Sequence, residues 1–163
     1  GKGRTGSPGF AADNQNWALR VRETQGKAGV SFLFATAAES GKSRSGQQWH
    51  RWTTAGGFVP GKYWHHIAVS YQFGHPESIH GWIDGKPQPG NWDMGGATAE
   101  TPVVDDDAIW IGSSQGGAAA NSFRGSLDAI AVYREVIDDA VMRTRFRRVG
   151  EEIVVQPAPE IMP

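Results

Sequence analysis

The sequence predicts an all-β protein in which two antiparallel sheets pack as a sandwich, followed by one short C-terminal helix. Several segments alternate apolar and polar residues with a period of two, which is the pattern of a half-buried strand. One such segment ends in Asp84-Gly85, a pair that favours the tight turn of a β-hairpin. The 163 residues include 22 glycines and 7 tryptophans, a composition typical of one domain of short strands joined by turns.

The first three strands are predicted between residues 17 and 53. In residues 17–22 three apolar side chains alternate with two arginines, and in residues 30–34 a valine and two phenylalanines occupy every second position. A third, shorter strand over residues 47–53 places Trp49 and Trp52 on opposite faces, because successive strand residues point to opposite sides of a sheet.

The central pair of strands is predicted at residues 63–71 and 79–84. Alternation along the first of these directs three side chains towards the core, namely Ile67, Val69 and Tyr71. In the second, the inner set is Ile79, Gly81 and Ile83, which leaves His80, Trp82 and Asp84 on the other face. The two strands are expected to be antiparallel neighbours in one sheet.

The C-terminal half combines a long loop, two further strands and the helix. Residues 87–107 are rich in Pro, Gly, Asn and Asp and are predicted to form a loop. Strands are predicted at residues 109–113 and 123–133, and a helix at residues 140–148 that begins after an Asp cap.

Four pieces of sequence, in this order, resemble the laminin-G-like, concanavalin A-like jelly-roll family. They are Tyr63–Tyr71, which contains Trp-x-His-Ile-Ala, Trp82–Lys86, which ends in Asp-Gly-Lys, Ile109–Ser113, which contains Ile-Gly-Ser, and Gly125–Asp128, which reads Gly-x-Leu-Asp. The resemblance covers about residues 15–148 and implies the jelly-roll form of the β-sandwich. It also implies an extracytoplasmic location, since members of the family are mostly exported.

The predicted organisation is one domain with two flanking segments. Residues 1–14 are interpreted as an N-terminal loop or the remnant of upstream strands, residues 15–149 as the sandwich, and residues 150–163 as a Pro-containing tail. Family members open with a strand that is not evident here, so an edge of the sheet would lie unpaired. Upstream residues of a longer polypeptide, a partner chain, or residues 151–155 folding back as a strand are expected to cover that edge.

Composition argues against several classes of function. The formal net charge of −1 provides no general attraction to nucleic acid or to an anionic membrane. No apolar run is long enough to span a bilayer, and there is no cysteine for disulfides or zinc. Glucanases of the resembled fold carry paired carboxylates on one strand, and no such pair is present. A non-catalytic protein is therefore predicted, with an enzyme of unrecognised site as the remaining alternative.

The tryptophans provide the predicted ligand-binding site. Sugar-binding surfaces combine flat aromatic rings with polar neighbours. By that criterion the site is predicted to contain Trp52, His80, Trp82, Asp84 and Trp92. The alternative for each tryptophan is an ordinary position in the core of a large sandwich.

Calcium is the predicted cofactor, if a metal is bound. Calcium prefers six to eight oxygen ligands, and the densest acidic run is Asp105-Asp106-Asp107, with Asp128 as a further candidate. Relatives of the resembled family hold calcium at a loop rim. The alternative is a solvated turn with Asp128 in a structural role. His65 and His66 point to opposite faces of a strand and so cannot share one zinc ion.

These observations predict a recognition module within a larger, exported protein. Glycan binding through exposed aromatic rings is the first hypothesis. The second is a structural or protein-contact domain that packs against its own polypeptide or a partner subunit, and an exposed apolar patch would favour it.

Overall fold

The computed structural model describes residues 1–3, 15–38, 48–61, 63–104, 108–113 and 122–155. Within these residues seven strands form two antiparallel sheets, and one α-helix follows them. The strands are β1 (Ala18–Thr24), β2 (Lys27–Ala35), β3 (Trp49–Thr54), β4 (Ile67–Ser70), β5 (His80–Ile83), β6 (Lys86–Gln88) and β7 (Gly90–Met94), and the helix is α1 (Asp139–Val155). The prediction of an all-β, two-sheet antiparallel sandwich with one helix is confirmed.

The larger sheet has four strands in the order β1-β2-β3-β7. Its register places Phe32 of β2 between Leu19 of β1 and Trp52 of β3, and Trp52 in turn opposite Trp92 of β7. These side chains share the face that points towards the second sheet. The opposite face carries the polar side chains of β1, β3 and β7.

The smaller sheet has three strands in the order β4-β5-β6. β5 and β6 are joined by the two residues Asp84 and Gly85, which have φ angles of 52° and 70°. Positive φ at both positions is the type I′ hairpin geometry, which matches the twist of the strands. The predicted Asp-Gly turn is therefore confirmed.

Two glycines make room for one tryptophan, one in the facing sheet and one in the neighbouring strand of its own sheet. A Cβ atom at Gly81 of β5 would lie 2.7 Å from the indole ring of Trp52, and one at Gly90 of β7 would lie 2.2 Å from the same ring. Neither contact is compatible with a side chain. Aromatic rings continue this core layer along the sandwich, with centroid separations of 4.9–6.4 Å among Phe32, Phe34, Tyr71, Phe73 and Trp92.

Helix α1 covers the outer face of the smaller sheet. Trp82 of β5 packs there in a buried cluster with Ile137 and Met142. Its indole N–H donates to the Asp139 carboxylate at 2.8 Å. Phe146 lies against Gly85, where a Cβ atom would come within 2.6 Å of its ring. The helix is thus a third layer, packed on the outside of the sandwich.

Three predicted elements are wrong. The predicted loop 87–107 contains β7 and most of β6, because Trp92 and the small Gly90 fit the inner face although their neighbours are polar. Residues 123–133 are not a strand, since alternation forms a strand only where a neighbouring backbone pairs with it. Residues 151–155, one of the three candidates for covering the open edge, continue α1 and do not form a strand, and the helix extends beyond its predicted end at residue 148.

Residues 1–3 take part in pairing at one edge of the described structure. The backbone of Lys2 forms antiparallel bridges with Trp17 on one side and with Ile109 on the other. Trp110 also donates its backbone N–H to the carbonyl of Gly1 at 2.8 Å. The predicted strand at residues 109–113 is therefore limited to an isolated bridge.

Candidate functional site

The two tryptophans at the centre of the predicted ligand site are buried. Trp52 is 4% exposed between the sheets, and Trp82 is 1% exposed beneath α1. The prediction that both rings are exposed is wrong. Trp82 does share the outer face of its strand with His80, as predicted, at a centroid distance of 5.9 Å. The helix that follows in the sequence packs on that face and removes the ring from solvent.

Trp92 lies on the inner face of the larger sheet, between the two sheets. It is half-buried and packs edge-on against Phe34 and Tyr71, at centroid distances of 6.1 and 5.8 Å. The structure therefore brings Trp52 and Trp92 together, but as core neighbours. It separates them from His80 and Trp82, which lie on the outer side of the other sheet. The five predicted residues do not form one surface.

Asp84 has structural bonding partners at the hairpin turn. Its carboxylate contacts Nδ1 of His65 at 2.9 Å and accepts the backbone N–H of His66 at 3.0 Å. His65 also stacks on Phe58 with a centroid distance of 4.2 Å. These contacts tie the segment before β4 to the β5–β6 turn. The register of β4 and β5 places Ser70 opposite His80.

His66 lies beneath the C-terminal helix. Its ring centroid is 5.7 Å from that of Phe146, and its Nδ1 atom is buried without a hydrogen-bond partner among the described residues. Desolvation lowers the pKa of the imidazole, and the nearby Asp84 carboxylate opposes this shift. The neutral form is therefore favoured in the folded protein.

The predicted calcium ligands are only partly described. Asp105, Asp106 and Asp107 lie outside the described residues. Asp128 is exposed, and its carboxylate accepts the backbone N–H of Ala129 at 2.7 Å. In the part of the chain that the structure describes, no group of three or more acidic or imidazole side chains is arranged to hold a metal. Calcium binding stays a prediction.

A polar cluster on the outer face of the larger sheet was not predicted. Arg51 of β3 donates two hydrogen bonds, of 2.7 and 3.1 Å, to the Asp93 carboxylate of β7. The Thr53 hydroxyl donates to the same carboxylate at 3.2 Å, and the Arg22 guanidinium lies 3.6 Å away. Partial burial opposes ionisation, but the bonds and charge of Arg51 lower the pKa of Asp93 overall. The alternation of arginines in β1 was the available signal for this face.

A second surface lies before the helix. Residues 123–136, here called the apolar segment, expose six large apolar side chains by between 42% and 64%. They are Phe123, Leu127, Ile130, Val132, Tyr133 and Val136. The Arg145 side chain covers one face of the Tyr133 ring, 3.7 Å from its centroid. The sequence located this segment but interpreted it as part of the sandwich.

Comparison with known protein families matches residues 4–140 to Laminin_G_3, of the concanavalin A-like lectin/glucanases superfamily. The chain belongs to this superfamily. Laminin-G-like domains bind glycans or proteins and are commonly extracellular. The chain is therefore a domain of a carbohydrate- or protein-binding class. Comparisons with curated proteins and with solved structures found no significant match. The helix that the structure describes is too short or too polar to cross a membrane.

Proposed function

We propose that this domain is a non-catalytic recognition module that contacts another protein surface through the apolar segment. The observation that supports this function is the exposure of six large apolar side chains within fourteen consecutive positions. Isolated exposed apolar residues are ordinary on soluble proteins, but contiguous ones mark interaction sites.

The backbone of the apolar segment supports the same function. Between residues 124 and 136 the described structure contains no backbone–backbone hydrogen bond to another element. Backbone N–H and C=O groups that lack a backbone partner in another element, next to apolar side chains, form a template for an added strand. The exported location and a role within a larger polypeptide are part of the proposal, and they rest on the superfamily.

Site-specific photo-crosslinking tests the protein contact. In the full-length protein, expressed in its native host, a photoreactive amino acid that replaces Val132 is expected to cross-link to another polypeptide chain. Val59 is the matched control, since it is also a valine, is 69% exposed and lies outside the apolar segment. Equal labelling at both positions, or none at Val132, would overturn the proposed contact.

Glycan binding is a second candidate, supported by the polar cluster of Arg22, Arg51, Thr53 and Asp93. Carboxylate, guanidinium and hydroxyl groups side by side can satisfy several sugar hydroxyls at once. This surface replaces the aromatic platform, whose two central rings are buried.

A glycan array separates the two candidates. If the polar cluster binds sugars, the wild-type domain gives a defined set of positive glycans and Arg22→Gln weakens them. Arg143→Gln on the exposed face of α1 is the matched control and leaves the signals unchanged. An array without positives, with and without added calcium, would remove the glycan candidate.

A further inference from the structure

We propose that the apolar segment pairs with the same segment of a second copy of this chain, as two antiparallel strands related by a two-fold axis at Ala131. This inference rests on the proposed protein contact and names its partner. Most soluble oligomers are symmetric, and a two-fold interface requires a surface that is complementary to itself.

The sequence of the segment meets that requirement. In an antiparallel pair centred on Ala131, Asp128 lies opposite Arg134 and Ile130 lies opposite Val132. Each pairing occurs twice because of the symmetry. The even-numbered face thus carries two apolar pairs in the middle and an opposite-charge pair at each end. Directly opposite residues in a strand pair are the ones that interact most strongly.

Other registers lose this match. Moving the centre to Ile130 places Asp128 opposite Val132, and moving it to Val132 places Asp128 opposite Val136. Both leave a charge facing an apolar side chain. On the odd-numbered face of the proposed register, the exposed ring of Tyr133 lies opposite Ala129, which leaves room for it.

The groups that the pairing needs are available on the surface of one copy. Arg134 is exposed and has no ion-pair partner among the described residues, and Asp128 is exposed as well. Ala129 has a φ angle of 50°, a left-handed conformation that is uncommon for a residue with a side chain. Extension of the backbone on pairing would release this conformation, move the Ala129 N–H from the Asp128 carboxylate to a carbonyl of the other copy, and free that carboxylate for Arg134.

A charge-swap series measured by sedimentation of the full chain tests the proposal. Wild type is expected to dimerise in a concentration-dependent way. Asp128→Arg and Arg134→Asp each place like charges opposite each other twice, and each should weaken dimerisation roughly tenfold or more. The double variant exchanges the charges and restores the pairs, so its dimerisation should return to within about threefold of wild type.

An engineered disulfide gives a second readout that does not depend on the charge variants folding well. The chain has no cysteine, so a single introduced thiol reports one position. Ala131→Cys would face itself across the axis and should form an intermolecular disulfide on mild oxidation, whereas Val59→Cys should not.

A chain that stays monomeric, with no disulfide preference for position 131, would overturn the pairing with a second copy. If a cross-linker at Val132 then captures a different polypeptide, the proposed protein contact stands and only the identity of the partner is wrong. If position 132 captures nothing, both proposals fail. A dimer whose double charge swap does not recover would also overturn the proposed register.

Discussion

Replacing Gly81 by alanine should destabilise the protein through one tryptophan. The added Cβ atom would lie 2.7 and 2.8 Å from two ring carbons of Trp52 and 3.3 Å from the methyl group of Thr54. Real Cβ atoms do not approach carbon this closely, so the ring or the sheet has to move. Trp52 is buried and its ring also lies against Gly90 of the neighbouring strand, which leaves it little room.

The two opposing contributions differ in size. Overpacking a buried site costs about 1–3 kcal/mol of unfolding free energy. Alanine is better suited than glycine to a strand interior by about 0.5–1 kcal/mol. A net loss of roughly 0.5–2 kcal/mol is therefore expected for Gly81→Ala. Gly61→Ala is the matched control, because nothing lies within 4 Å of its Cβ position, and it should be neutral or stabilising by up to about 1 kcal/mol.

Urea denaturation of both variants measures these changes, and a Trp52→Phe background identifies their cause. The smaller ring leaves space, so Gly81→Ala should cost less in that background than in the wild type. If Gly81→Ala is harmless, or costs the same with and without Trp52, the indole is not seated between the sheets. Trp52 would then be free to act as the exposed sugar platform that the sequence suggested.

Three further outcomes are expected. Asp139→Ala should lower the unfolding free energy by about 1–3 kcal/mol in urea denaturation, because the buried indole N–H of Trp82 loses its acceptor. Stability should fall as the pH drops below 6.5, because His66 is then protonated in the unfolded state while burial keeps it neutral in the folded state. His66→Gln should flatten this part of the pH profile. Because the pKa of Asp93 is lowered in the folded protein, its carboxylate adds stability at pH values above 3.8, the ordinary pKa of the group. This contribution is lost as the pH falls through the lowered pKa, and Arg51→Gln should weaken the loss in the same denaturation measurement.

Local chemistry was sufficient to predict the parts of the fold that depend on neighbouring residues. The Asp84-Gly85 turn follows from the ease with which these two residues adopt positive φ, and it sets the register of β5 and β6. Alternation also assigned the inner and outer faces of β4 and β5 correctly, since the period of a strand is fixed at two residues.

Exposure could not be predicted in the same way. Trp82 was correctly placed on the outer face of its strand, but that face is covered by Met142, which is distant in the sequence. Periodicity states which side chains share a face, and it does not state whether another element packs on that face. The prediction of an exposed aromatic platform failed for this reason.

Pairing was the other property that the sequence alone could not determine. Gly90–Met94 is polar and glycine-containing, yet it is a strand because β3 pairs with it and Trp92 enters the core. Residues 123–133 alternate well, yet they have no neighbouring strand among the described residues. By itself the sequence determined the turn, the strand faces and the superfamily, which depend on local residue preferences and motif order. Only the tertiary structure decided which strands pair, which faces are covered and which apolar residues remain exposed, because a backbone hydrogen bond and a buried side chain both require a partner that is remote in the chain.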